Sequence, residues 1–277
     1  MEKETNKNKG AFVERDLSWM YFNHRILQEA KKEDIPVLER MTFLGIYSNN
    51  LDEFFRVRMA SLNRIAQSKD KNIKNDRERA KRTIKDINHL NSCYNKEFEN
   101  AVNDITDELE RQGIKLVHEH QLNDEQQEFI RRFYLDKLNG STNPVWLSQV
   151  KEIGTTVDDG IFLAVKQMEW IEGKKKPKTN YALIAMPDKE VGRFVRLPKS
   201  DNKENIMFLD DVIRFCLPMI FVGSDNCTYE AYSFKFTKDA EMEMDNDLGS
   251  GMMQKVAKGV KSRKSGEPIR VIYDDDM

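Results

Sequence analysis

No apolar run in this 277-residue sequence approaches the roughly 20 residues needed to span a bilayer, and the opening MEKETNKNKG lacks the apolar core of a signal peptide. Both absences lead us to expect a cytoplasmic protein with no transmembrane segment. Cysteine is scarce and odd in number: Cys93, Cys216 and Cys227 form no CxxC pair. That excludes a disulfide framework and a cysteine-rich zinc site, and reduced thiols are expected. Neither sign of charge dominates, with 45 Lys and Arg against 47 Asp and Glu, so no global field favours nucleic acid. Any site for a polyanion must come from local clusters. The standard phosphate-cradling loops are missing too: there is no GxxxxGK[ST], and no GxGxxG opens a helix after a strand. No internal repeat is found.

What is present suits a helix-rich chain with broad solvated faces, since 33% of residues are charged and 39% hydrophobic. Residues 1–14 read as a disordered tail. Asp16 and Ser18 are candidate caps for a helix running to about Lys32. Its apolar residues (Trp19, Met20, Phe22, Ile26, Leu27, Ala30) spread over more than one face and predict deep burial. Pro36 suits the first turn of the next helix, where Val37, Leu38, Met41, Leu44 and Tyr47 recur at helical spacing. That run is expected to stop at Ser48-Asn49-Asn50, with a third helix continuing through Leu51, Phe54, Phe55, Arg58, Leu62 and Ile65. After a charged linker comes a long helix ending near Gly113. Its Ile84, Ile87, Tyr94, Phe98, Ala101, Ile105 and Leu109 form the seam of an antiparallel bundle. Residues 15–113 thus predict an all-helical domain.

Beyond Gly113 the pattern changes. Residues 114–117 read as a short strand, and Asn123 with Gln126 forms a capping box for a helix to about Leu138. Strand-type runs follow at 161–170, 181–186, 193–197, 231–237 and 269–273. Residues 209–217 read as a short helix ended by Pro218, and 252–264 as another helix. Residues 114–277 therefore predict an α+β domain with a mostly antiparallel sheet, and the fold class is α+β.

Asn50 followed by Glu53 has the form of a capping box at the expected break. A second reading is compatible with it: a side-chain amide offers a donor and an acceptor side by side and can read the polar edge of adenine. Arg56 and Arg58 follow one turn later, suited either to phosphate or to ion pairs with Asp52 or Glu53. The four histidines are candidate nucleophiles or ligands. His24 lies inside the first helix, and His89 sits among polar residues of the long one. His118 and His120 alternate on an extended segment and could share a metal, but no third ligand is recognisable nearby. The lysine-rich stretches 174–178 and 255–264 are either solvated surface or a groove for a linear polyanion.

Two long, gap-free words, RDLSWMYFNHRILQEA at residues 15–30 and ERMTFLGIYSNNLDEFFRVRMASL at 39–62, resemble the amino-terminal domain of long-form polyphosphate kinases. The resemblance continues more loosely through LDDVIRFCLPMIF, AYSFKFTKDAE and EPIRVIYDDDM, and covers nearly the whole chain after the tail. It departs at His24, where the family usually carries Glu. The resemblance implies transfer of the terminal phosphate of ATP to inorganic polyphosphate through a phosphohistidine, with ATP, ADP and polyphosphate as partners. It also implies homo-oligomers formed through the head domain and an ATP contact at Asn50. The phosphorylated histidine and the Mg²⁺ ligands belong to a carboxy-terminal half that these residues do not include. No residue here is therefore expected to be catalytic or metal-ligating, and the chain alone is expected to be inactive. The rival reading is a non-catalytic module for protein binding or assembly.

Overall fold

The computed structural model describes residues 13–150, 160–222, 226–239 and 268–274. The expected tail, apart from residues 13 and 14, the expected helix at 252–264 and its lysines lie outside these. The chain divides into two compact units, with the change at Glu108/Leu109.

The first unit is helical. α1 (Arg15–Ala30) is capped by Glu14, whose carboxylate accepts from the backbone N–H groups of Asp16 and Leu17 at 2.7 and 3.3 Å. The expected caps, Asp16 and Ser18, are not used. Asp16 is buried in the first turn and takes a side-chain partner instead. α2 (Val37–Phe54) runs without interruption through Ser48-Asn49-Asn50. The expected break and the Asn50–Glu53 capping box are therefore corrected. The helix persists because the Asn50 amide finds its partner on α1 rather than on its own backbone, which removes the local competition that makes Asn a helix breaker. The irregularity comes later, where Phe55–Met59 winds as a π-helix before α3 (Ala60–Gln67). α1 and α2 lie antiparallel, as shown by Trp19 on Phe54, Asn23 on Tyr47, and Arg40 Nε donating to the Ala30 carbonyl at 2.8 Å. α4 (Lys74–Arg111) buries Ile87, Tyr94, Ala101 and Ile105 along the expected seam. Tyr94 stacks on His24 and Phe98 on Tyr47, so this seam closes over the first two helices.

The second unit is α+β. β1 (Ile114–Leu116) pairs in parallel with β6 (Lys203–Phe208), which pairs antiparallel with β5 (Phe194–Ser200). A second, fully antiparallel sheet has the order β2-β4-β3-β7-β8, from β2 (Val145–Trp146), β4 (Lys178–Ala185), β3 (Ile161–Glu169), β7 (Cys227–Lys238) and β8 (Pro268–Tyr273). β3 alternates as a two-sided strand should. Leu163 and Val165 enter the main core with α5 (Asp124–Phe133) and α6 (Leu209–Ile220), while Phe162 joins Leu183 and Phe234 in a smaller cluster. The capping box at Asn123 and Gln126 forms as expected. Two expectations fail. β2 and β6 are absent from the expected strands, although Asp201-Asn202, at φ 53° and 58°, is a hairpin signal between β5 and β6. α6 also passes Pro218 and ends at Ile220 rather than at Leu217.

Candidate nucleotide-contacting site

The side chain singled out by the sequence, Asn50, sits half-buried where α2 faces α1. Beneath it lies Asn23, 1% exposed, which donates from Nδ2 to the main-chain carbonyl of Tyr47 at 3.2 Å. Asn50 in turn donates from Nδ2 to Asn23 Oδ1 at 3.1 Å. The two amides form a short relay between helices, and Trp19 stacks on Phe54 at 4.3 Å on the same helix pair. If Asn50 were a cap, its oxygen would be used and its nitrogen open; the arrangement is the reverse. Sequence reasoning misses Asn23. α1 is less deeply buried than its apolar spread predicts, with Phe22 57% exposed, but an asparagine that is buried must find partners.

Arg58 does not offer its fork to a ligand. Its Nε and Nη2 close on the two oxygens of Asp16 at 2.9 and 3.1 Å, a bidentate pair with the Asp16 side chain only 4% exposed. Arg56 Nε lies 4.0 Å from Glu53, the ion pair anticipated for it.

The histidines are placed as follows. His24 stacks on Tyr94 and approaches Glu97 at 3.2 Å, and His89 is exposed on α4. His118 and His120 do share a face, with rings stacked at 5.9 Å. The partner that sequence could not supply is Asp211, from the first turn of α6, whose Oδ2 is 2.9 Å from His118 Nδ1. His118, Glu119 and Asp211 bring ligand-type atoms within 4.8 Å of one another. Mg²⁺ demands near-octahedral oxygen ligands, whereas one oxygen of Asp211 faces His118 and the other accepts from Arg214. The group does not fit Mg²⁺. Burial pushes the Asp211 carboxyl above the usual range, against the pull of Arg214 and His118.

Cys216 offers no nucleophile, because burial pushes its thiol up to about 12. A cleft of about 700 Å³ beside Trp146, Tyr181 and Phe221 has only uncharged lining residues, including Gln167 and Asn180, and is unsuited to phosphates. Lys174, Lys175 and Lys176 are exposed between β3 and β4, while Lys178 lies 3.7 Å from Glu169.

A helical unit with a buried amide relay, followed by an α+β unit, defines the architecture, and comparison with known proteins agrees with it. The polyphosphate kinase N-terminal domain matches residues 12–117 and the polyphosphate kinase middle domain matches residues 125–277. The polyphosphate kinase of Salmonella typhimurium is 36% identical over 270 residues, and that of Yersinia pestis 34%. Each alignment covers 96% of this chain and 38% of the relative. The crystal structure of polyphosphate kinase from Porphyromonas gingivalis superposes with a TM-score of 0.74 at 27% identity, covering 96% of this chain and 36% of that one. The chain belongs to the polyphosphate kinase family, a family of enzymes, and spans a little over a third of the length of these relatives.

Proposed function

We propose that this chain supplies the amino-terminal helical and head domains of a polyphosphate kinase. The reaction is ATP plus a polyphosphate of n units giving ADP and a polyphosphate of n + 1 units, through a phosphohistidine. The histidine and the residues that hold Mg²⁺ lie outside these 277 residues. Within them, Asn50 contacts the adenine of ATP, and the head domain takes part in pairing two copies of the enzyme. Phosphoryl transfer is largely a matter of positioning and charge stabilisation, so a residue that only seats the base still serves the chemistry.

The observation that carries this reading is the half-buried Asn50, held by a buried partner with its oxygen engaged by no described residue. The test is Asn50→Ala in the full-length kinase carrying this sequence. The KM for ATP should rise about tenfold, as expected for one lost hydrogen bond to the substrate, while the unfolding midpoint moves little. A lowered midpoint with an unchanged KM would leave Asn50 as part of the helix contact alone.

The non-catalytic module keeps one observation in its favour. Among the described residues His24 and His118 face carboxylates, and the Cys216 thiol is held protonated. Polymer synthesis by the full-length protein decides against it.

A further inference from the structure

The relay has a direction, and one group without an alternative state sets it. A main-chain carbonyl can only accept a hydrogen bond. Asn23 must therefore turn its nitrogen toward Tyr47, 3.2 Å away. The other end of the same planar amide is an oxygen, which also can only accept, and this is the end presented to Asn50. Asn50 has to answer with its nitrogen, at 3.1 Å. Turning Asn23 over would put oxygen on oxygen at a site 1% exposed, with no solvent to relieve it. Turning Asn50 over would do the same one step further out. The carbonyl oxygen of Asn50 is thus left outward, and among the described residues nothing donates to it.

We infer that Asn23 is a positioning residue: by fixing the polarity of Asn50 it makes the site present an acceptor, which selects a purine bearing a 6-amino donor over one bearing a 6-oxo acceptor. An unrestrained asparagine could rotate its amide and serve either purine; a restrained one cannot. A guanine seated in the same pose would set its 6-oxo oxygen against the Asn50 oxygen, with only the second Nδ2 hydrogen of Asn50 left to donate, and a purine with hydrogen at position 6 would leave the Asn50 oxygen without a donor. This inference rests on the proposed adenine contact and adds to it the direction of the hydrogen bond and the residue that sets it.

The experiment compares ATP, GTP and purine riboside triphosphate as substrates of the full-length kinase, unsubstituted and as Asn23→Ala and Asn50→Ala. In the unsubstituted enzyme, KM should be about tenfold higher for GTP and for the 6-unsubstituted purine than for ATP, the scale of one hydrogen bond with its partner left unpaired. Asn50→Ala should bring the three KM values together. Asn23→Ala, which frees the Asn50 amide to rotate, should narrow the GTP-to-ATP ratio while Asn50 remains in place. A merely structural role for Asn23 would lower the unfolding midpoint and move all three nucleotides in parallel. An unchanged ATP KM in Asn50→Ala would overturn the contact itself. A raised ATP KM in that variant, with ATP and GTP used equally by the unsubstituted enzyme, would overturn the polarity alone. A GTP-to-ATP ratio that survives either substitution would do the same. Should Asn23→Ala fail to fold, Asn23→Ser takes its place in the same comparison, because a hydroxyl can donate or accept and no longer fixes which end of the Asn50 amide faces it.

Discussion

His24, where the resemblance implies Glu, stacks on Tyr94 and faces a carboxylate from α4. Glu97 on α4 faces it, with His24 Nε2 at 3.2 Å and the Lys31 ammonium at 3.0 Å. Burial works to raise the Glu97 carboxyl, but Lys31 and His24 together hold it below the usual range. A carboxylate whose folded pKa is depressed stabilises the fold above its unfolded pKa, and that contribution is lost as pH falls through the folded value. Glu97→Gln should therefore cost about 0.5–1 kcal/mol near neutrality, the scale of a partly exposed ion pair. The deficit should shrink as pH falls through and below the ordinary glutamate range. Urea midpoints of the two proteins across a pH series check this, and a deficit independent of pH would mean that the carboxylate's charge contributes nothing.

At the scale of elements, the irregularity that the sequence places at Ser48-Asn49-Asn50 falls instead on the π-helical turn at Phe55–Met59. An extra residue in one turn rotates everything after it without ending the helix. Phe55 and Met59 are both buried, and Arg58 closes its fork on Asp16 of α1. Asp16 has little access to water and its other near cation, Arg15, stands 3.8 Å off, so removing Arg58 leaves a buried carboxylate without its hydrogen-bonded partner. Arg58→Ala should cost about 2–3 kcal/mol, and Arg58→Lys should recover only part of that, because an ammonium cannot bond both oxygens in the plane of the carboxylate. Thermal unfolding of the three proteins gives the comparison; full recovery with Lys would show that charge alone matters there.

At the scale of the whole molecule, an α+β chain of 277 residues carries two family domains and spans 38% of its Salmonella relative. Among the described residues no helix is long and apolar enough to cross a membrane. On the proposed reading the phosphorylated histidine lies outside these residues, so the chain incubated alone with ATP radiolabelled in its γ-phosphate should acquire no acid-labile label. Label on any of its four histidines would overturn the assignment of the chemistry to residues outside it.

Much of the fold was legible because its signals are local. The seam of α4 and the capping box at Asn123 and Gln126 are set by residues within a few positions of one another. The alternation of β3 is equally local. The long gap-free words identified the family for the same reason. Where a local signal pointed the wrong way, a distant contact had overridden it. Asn50 reads as a helix start until Asn23, 27 positions away, takes its amide. Arg58 reads as a phosphate ligand or a partner of Asp52 or Glu53 until Asp16, 42 positions away, closes on it. His118 shows no partner in the sequence until α6 brings Asp211 from 93 positions away. Periodicity is a property of neighbouring residues, so the fold class could be read from it, and the two long words carried the family. Which end of an amide faces outward depends on an acceptor held across two helices, which no local pattern encodes.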